Sequence, residues 1–162
     1  MKMIVCIAEN YAIGSGNNLL FSLPPDMKFF RETTLGKVVV MGRSTLDSFP
    51  GGKALKNRIN IVLTRDKNFS RENTIPLNSV DEVLEYIKQF DSDDVYIIGG
   101  AQIYELFEPY CEAALVTKVR KSPNADKYFF NIDKSPHWQK DYESELMEHE
   151  GIKFTFCRYV RN

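Results

Sequence analysis

Five short apolar-rich runs, Met3 to Ile7, Val38 to Met41, Ile59 to Leu63, Val95 to Ile98 and Ala113 to Val119, constrain the fold more than any other feature of the chain. The runs at Met3, Val38 and Val95 have no polar alternation, so each reads as a strand buried on both faces. Helical patterns lie between the runs. Pro24-Pro25 opens one helix, because proline suits the first turn, with Met27, Phe30 and Thr34 along one face and a stop near Gly36. On that pattern Met27 and Phe30 read as core. Gly42-Arg43-Ser44-Thr45 leads into a short helix that Phe49-Pro50-Gly51-Gly52 breaks. Ser79 and Glu82 form a capping box ahead of Val80, Val83, Leu84 and Ile87, an apolar stripe at helical spacing. Ile103, Tyr104 and Phe107 make the inner face of another helix, after the turn Gly99-Gly100. Strands alternating with helices predict an α/β fold with a mostly parallel sheet and right-handed crossovers. Beyond Ser122 a long loop precedes two strands around Glu148-His149-Glu150-Gly151. There Ile152, Phe154 and Phe156 alternate with Lys153, Thr155 and Cys157, which predicts an antiparallel hairpin at a sheet edge.

The chain of 162 residues has the length of a single domain, 1–162, and shows no repeat or linker. Its formal net charge of −1 leaves no basic stripe for a nucleic acid or a membrane surface. Apolar residues make up 43%, too many for a disordered chain, in runs far too short to span a bilayer. Cys6, Cys111 and Cys157 are odd in number and lack C-x-x-C spacing, which suits a reducing compartment and gives no zinc framework. With no apolar stretch of signal-peptide length at Met1-Lys2-Met3, the expected location is the cytoplasm.

Several chemistries drop out on motif grounds. Gly14-Ser15-Gly16 lacks the third glycine of a dinucleotide fingerprint, and neither Gly36-Lys37 nor Gly52-Lys53 completes a P-loop. His137 and His149 have no partner at useful spacing for a triad or a metal, so no metal is expected. Two turns remain, Gly42-Arg43-Ser44-Thr45 and Gly99-Gly100-Ala101-Gln102, each following a strand and opening a helix, where free backbone N–H groups suit an anion. Tight strand-to-helix turns explain the same glycines without a ligand. Asp26 also has two readings. A carboxylate in the first helical turn is favoured by the macrodipole, whereas one beside Leu23, Met27, Phe29 and Phe30, after a lid-like loop from Glu9 to Leu23, would face an apolar cleft with a raised pKa.

Taken in order, these segments resemble the dihydrofolate reductase family along essentially the whole chain. The resemblance rests on Ala12-Ile13-Gly14 with Asn17, Leu23-Pro24 with Asp26 and Phe30, Val40-Met41-Gly42-Arg43-Ser44-Thr45, and Arg58 through Arg65. Ile97 through Tyr104 and Leu115-Val116-Thr117 complete it. It implies an eight-stranded, mostly parallel sheet flanked by four helices. The implied activity is NADPH-dependent reduction of 7,8-dihydrofolate to tetrahydrofolate, serving one-carbon metabolism and thymidylate synthesis, with hydride going to pterin C6 and water protonating N5.

By position, the resemblance makes Asp26, with Phe21 and Leu19 of the lid, the candidate catalytic set. Asp26 would hold pterin N3 and the 2-amino group, supported by Thr117. The backbone of Ile4 and Val5 would line that pocket, and Met27, Phe30, Phe49, Leu55 and Ile98 would enclose the pterin and benzoyl rings. Arg58 would pair with the glutamate α-carboxylate. Cys6, Ile13, Ile98 and Tyr104 would surround the nicotinamide, near Gly14 and Asn17, with a cis peptide joining Gly99 to Gly100. Arg43, Thr64 and Arg65 would take the 2′-phosphate, with Gly42, Ser44, Thr45, Leu63, Ala101, Gln102 and Ile103 completing the cofactor wall. The implied partners are dihydrofolate and antifolate inhibitors, and the implied state is a monomer.

The chain departs from the family pattern at three places. Leu19-Leu20-Phe21 stands where the family has Leu-Pro-Trp, Ala125-Asp126-Lys127 where it has Gly-Asp-Thr, and Pro50-Gly51-Gly52-Lys53 carries an extra residue. Two competing readings are a same-fold reductase of a riboflavin-pathway pyrimidine, against which Asp26 and Arg58 argue, and a nucleotide-binding domain without turnover.

Overall fold

A computed structural model of the chain describes residues 1–15, 18–19 and 21–162, with Ser15, Asn18 and Leu19 described by their backbone alone. In chain order the elements are β1 (Lys2–Ala8), β2 (Ala12–Ser15), β3 (Asn18–Leu19), α1 (Pro24–Thr34), β4 (Val38–Gly42), α2 (Arg43–Ser48), β5 (Ile59–Leu63) and β6 (Thr74–Leu77). They continue with α3 (Val80–Tyr86), β7 (Val95–Gly99), α4 (Ala101–Phe107), β8 (Ala113–Val119), β9 (Lys127–Tyr128), β10 (Trp138–Glu143), β11 (Met147–His149) and β12 (Ile152–Arg161). The central sheet runs β10-β12-β8-β1-β7-β4-β5-β6, with β11 pairing off β12. The pairs from β8 through to β6 are parallel, and β12 is antiparallel to β8, β10 and β11. A mixed α/β sheet with an antiparallel carboxyl-terminal end is thus what the sequence pattern predicts.

Alternation along the strands splits the core into two layers. Met3, Val5 and Ile7 of β1 join Val40, Ile61, Ile97 and Val116 on one face, covered by Val83 of α3 and Ile103, Tyr104 and Phe107 of α4. Ile4 faces the other way, with Val39, Met41, Val62 and Ile98, against Phe29 and Phe30 of α1 and Leu46 of α2. Farther along that second face, Leu23, Val119 and Phe154 form a small cluster with Cys6, Phe21 and Phe156 at its margin.

Helix α1 starts without a side-chain cap, and the prolines explain why. Pro24 and Pro25 carry no N–H, so part of the usual set of orphan donors at a helix start is missing. The first N–H groups that exist, those of Asp26 and Met27, both donate to Leu23 O at 3.0 Å. The Asp26 side chain is therefore not needed as a cap. Gly36, in the left-handed region at φ 76°, turns the chain from α1 into β4. At α3 the Ser79 hydroxyl accepts from the Glu82 N–H, but the Glu82 carboxylate accepts from Asn78 rather than returning to Ser79, which completes only half of the expected box.

The structure corrects several expectations. Met27 is not core: it is 57% exposed. The stretch from Glu9 to Leu23 is not a plain loop, because β2 and β3 pair within it and β2 also pairs with β9. Strand β12 is not at an edge. It lies between β8 and β10, and Thr155 and Cys157, small enough to fit an interior, are buried. Strands β6 and β10 went unread from the sequence. Pro76 masks β6, where it is tolerated at the sheet edge, and β10 is exposed at every residue after Trp138, so it has no apolar face to betray it.

Candidate active site

The sheet opens where β1 and β7 part. Strand β1 pairs with β8 over all seven of its residues, but with β7 only at Lys2↔Tyr96 and Met3↔Ile97. Beyond those rungs the carboxyl ends diverge, which is where open α/β sheets bind ligands. The carbonyl of Ile4, just past the last shared rung, accepts from the buried Tyr104 hydroxyl at 2.7 Å. Val5 points to the opposite layer, so its backbone alone borders the opening.

Into this opening α1 delivers Asp26. Its Oδ1 accepts from the Thr117 hydroxyl of β8 at 2.6 Å, a bond that joins residues 91 apart in sequence. Burial holds the Asp26 carboxyl above the usual carboxylate range, against the opposing pull of the Thr117 and Cys6 hydrogen bonds. A carboxylate whose only role was to complement the helix dipole would be held below that range instead. The bland reading of Asp26 therefore gives way to the cleft reading. Burial first, and then the neighbouring Asp26 charge, push the Cys6 thiol up and keep it protonated.

An apolar wall extends from Asp26. Ile4 and Ile98 are buried, and Phe30, Phe49 and Leu55 pack half-buried on the same layer. Exposed Met27 stands at the rim of α1. Phe21 is half-buried and packs, like Cys6 and Phe156, against the cluster of Leu23, Val119 and Phe154. At the outer end Arg58 donates through Nε to Thr34 at 3.2 Å and through its two amino nitrogens to the carbonyls of Lys56 and Arg31, at 3.0 and 3.4 Å. Three of its five N–H groups are thus engaged, fixing the guanidinium plane with two left over. A separate cavity of about 540 Å³ borders Arg58, Asn73 and Thr74 but touches neither Asp26 nor Thr117.

On the other side of the opening, three strand ends lie in a row, β7, β4 and β5, in register at Met41↔Gly99 and Gly42↔Leu63. They present Gly99-Gly100-Ala101-Gln102, Gly42-Arg43-Ser44-Thr45 and Leu63-Thr64-Arg65. The Gly99–Gly100 peptide is cis. Gly99 has φ 115°, which L side chains rarely adopt, and a Cβ there would stand 3.2 Å from the Tyr104 ring, so both backbone and packing favour glycine. A Cβ on Gly100 would meet only Thr45 Oγ1, at 3.7 Å, which leaves the outer side of that turn open. Arg43 stacks on Phe69 and pairs with Asp66 at 3.3 Å and Asp47 at 3.8 Å; Ser44, Arg65 and Gln102 are exposed. Ile13 is half-buried and Gly14 buried, both on β2. Asn17 lies outside the described residues, as does the side chain of Leu19.

Sequence reasoning missed the anchor of the β2–β3 hairpin. Asp133 accepts from the hydroxyls of Tyr11 at 2.5 Å and Tyr159 at 2.6 Å and from the Lys118 ammonium at 2.7 Å. Burial opposes its ionisation, yet these three donors bring its pKa down to about 2. Tyr11 sits at the foot of the hairpin at φ 65°, and its carbonyl accepts from Phe129. Asp126, in the altered Ala125-Asp126-Lys127 segment, donates its N–H to Gly14 O at 3.2 Å. The three donors to Asp133 are scattered along the chain, so only a non-glycine residue with positive φ marks the place, and no sequence pattern shows that.

Comparison with known proteins agrees with this geometry. The family model for dihydrofolate reductase matches residues 1–161. The dihydrofolate reductase of Neisseria gonorrhoeae is 34% identical over 99% of this chain and 97% of its own. That of Buchnera aphidicola is 31% identical over 96% and 92%. Among solved structures, dihydrofolate reductase from Enterococcus faecalis, in complex with NADP(H) and RAB-propyl, superposes with a TM-score of 0.89 at 29% identity, covering 99% of this chain and 95% of that one. A match over the whole length, on a sheet that opens beside a half-buried carboxyl, means that the chain belongs to the dihydrofolate reductase family.

Proposed function

We infer that the cleft reduces 7,8-dihydrofolate to 5,6,7,8-tetrahydrofolate with NADPH, and that this is the source of tetrahydrofolate for one-carbon metabolism in the cytoplasm, carried out by a monomer. The observation that carries the reading is the Asp26 carboxyl, tied to the Thr117 hydroxyl beside the opening where β1 and β7 part. NADPH, when bound, supplies the hydride that reduces pterin C6.

The trough fits that group in its donor chemistry. Turn amides, Thr64 and Thr45 suit the phosphates, while Ile13, Ile98, Tyr104 and Cys6 offer an uncharged slot for the nicotinamide. Arg43 and Arg65 suit the 2′-phosphate, and Arg43 must then be shared with Asp47 and Asp66. Arg65 therefore carries more of the preference for NADPH over NADH than its position alone suggests.

Asp26 does the pterin's work. Its two oxygens accept from N3–H and the 2-amino group, which fixes the ring in the slot, and its negative charge makes the distant N5 more basic. On this reading the proton for N5 comes from water at the margin of the lid rather than from a side chain. The two remaining N–H groups of Arg58 suit the glutamate α-carboxylate, held in a plane by Thr34, Lys56 and Arg31. Positioning of this kind lowers a barrier by as much as ~7–11 kcal/mol. The test is the loss of NADPH absorbance on adding dihydrofolate to the purified protein. Oxidation that requires dihydrofolate is expected. NADPH binding without oxidation would leave a nucleotide-binding domain, and oxidation on a pyrimidine instead would move the chain to the riboflavin-type reaction.

A further inference from the structure

Thr117 is one of two donors that face Asp26. Strands β1 and β8 run parallel with Cys6 and Thr117 as register partners, so their side chains leave the same face of the sheet side by side. From that rung the Thr117 hydroxyl reaches Asp26 Oδ1 at 2.6 Å, and the Cys6 thiol, leaving the same face next to it, is close enough to Asp26 for each to shift the other's ionisation. The other ionisable group near the pair is Tyr104 on α4, whose hydroxyl is engaged by Ile4 O. Cys6 shares its apolar cluster with Phe21 and Phe156. Among the described residues no ion pair involves Asp26, and no cation is among the groups that shift its ionisation. A thiol kept protonated in these surroundings has only one thing to offer a carboxylate, its S–H.

We propose that Cys6 is a positioning residue for Asp26, donating its thiol hydrogen to the carboxylate beside the Thr117 hydroxyl and so fixing the plane that the carboxyl presents to the pterin edge. A carboxylate has roughly four acceptor sites. Two go to pterin N–H groups on the reading given above, on which this part of the proposal rests; Thr117 and Cys6 fill the other two. The carboxyl is then fully satisfied without water and cannot rotate away without breaking both protein bonds. An alanine would fill much of the same space and leave one acceptor unmet.

Three measurements on the ligand-free protein test this without relying on turnover. In the infrared, one of the three S–H bands, identified by its loss in Cys6→Ala, is expected to move to higher frequency in Asp26→Asn. A Cys6 band at the same frequency in both proteins overturns the proposal. In a carboxyl ¹³C titration, Cys6→Ala is expected to raise the Asp26 midpoint by about half a pH unit, the scale of one weak donor to the charged form. Cys6→Ser, which restores a donor, should return the midpoint to the wild-type value or below. A midpoint that stays or falls in Cys6→Ala, or a serine variant that tracks alanine, rejects the role of the thiol. If the protein failed to oxidise NADPH with dihydrofolate, these results would still stand or fall separately, so the two readings fail distinguishably.

Discussion

Asp26 and Asp133 are held by consecutive residues of one strand. Thr117 and Lys118 point to opposite sides of β8, the first to Asp26 and the second to Asp133. Asp133 has an ammonium and two phenols, stays ionised down to a pKa of about 2, and behaves as a strut. Asp26 has a hydroxyl bonded to it and a neutral thiol close by, and burial keeps its carboxyl above the usual range. The chemistry of the two groups is identical. What differs is the number and charge of the donors around them, and that difference separates a carboxylate that braces the fold from one that remains responsive to a ligand and a proton.

The comparison breaks most visibly in turnover. Asp26→Asn is expected to lower the rate of dihydrofolate reduction at neutral pH by ~10²–10⁴-fold, with NADPH affinity nearly unchanged, because the carboxyl faces the pterin and not the trough. Asp133→Asn should leave the rate within a few-fold of wild type. Steady-state rates with titrated NADPH decide both, and a near-wild-type rate for Asp26→Asn would erase the distinction.

Stability should move the opposite way. Because the folded pKa of Asp133 is depressed, its contribution is complete above the ordinary carboxylate pKa and is lost as pH falls from about 4 towards 2. With its side chain 34% exposed and so partly screened, that contribution is about 1–2 kcal/mol, and Asp133→Asn should lose about as much at neutral pH. Asp26 has a raised folded pKa, so the protein loses stability as pH rises from the ordinary carboxylate value through the raised one. Asp26→Asn should therefore raise the melting temperature at neutral pH. Thermal melts of both variants from pH 3 to 8 check the signs, and parallel shifts would show that the two environments do not differ as described.

Neither partner set was legible in the same way. Asp26 stood out in the sequence because a carboxylate followed two prolines among apolar residues, and Thr117 came with it only through the family resemblance. Nothing marked Asp133, since its donors come from positions 11, 118 and 159, and tertiary packing alone brings them together. The parallel core was readable because strands buried on both faces leave uninterrupted apolar runs. The edges were not, since β6 carries a proline and β10 is solvated beyond Trp138. The family resemblance puts Cys6 beside the nicotinamide, whereas its place next to Thr117 comes only from the β1–β8 register.

A smaller effect should follow from thinning the strut by one donor. Tyr11→Phe removes one of three donors to Asp133 and should cost about 0.5–1.5 kcal/mol. Its local signature is faster hydrogen exchange at the Phe129 amide, which donates to Tyr11 O at 2.8 Å at the foot of the hairpin. Unchanged exchange there would mean that Lys118 and Tyr159 hold Asp133 without help, and that the hairpin is fastened elsewhere.

The last expected effect runs the other way, adding a donor to the poorer site. Phe21 is half-buried at the margin of the apolar cluster that also takes in Cys6 and Phe156, at the position where the family resemblance puts tryptophan. A phenyl ring cannot hold a bridging water, whereas an indole N–H can fix one between the lid and the pterin. Phe21→Trp should tighten dihydrofolate binding by ~0.5–1.5 kcal/mol, the usual net worth of one hydrogen bond. The larger ring must find room against Leu23, Val119 and Phe154, all buried, and overpacking would then oppose the gain. Affinity and melting temperature therefore have to be measured together. A variant that melts like wild type but binds dihydrofolate no better would show that the Asp26 side is not short of a donor at Phe21, and that its contrast with the Asp133 side rests on the carboxyl's own partners alone.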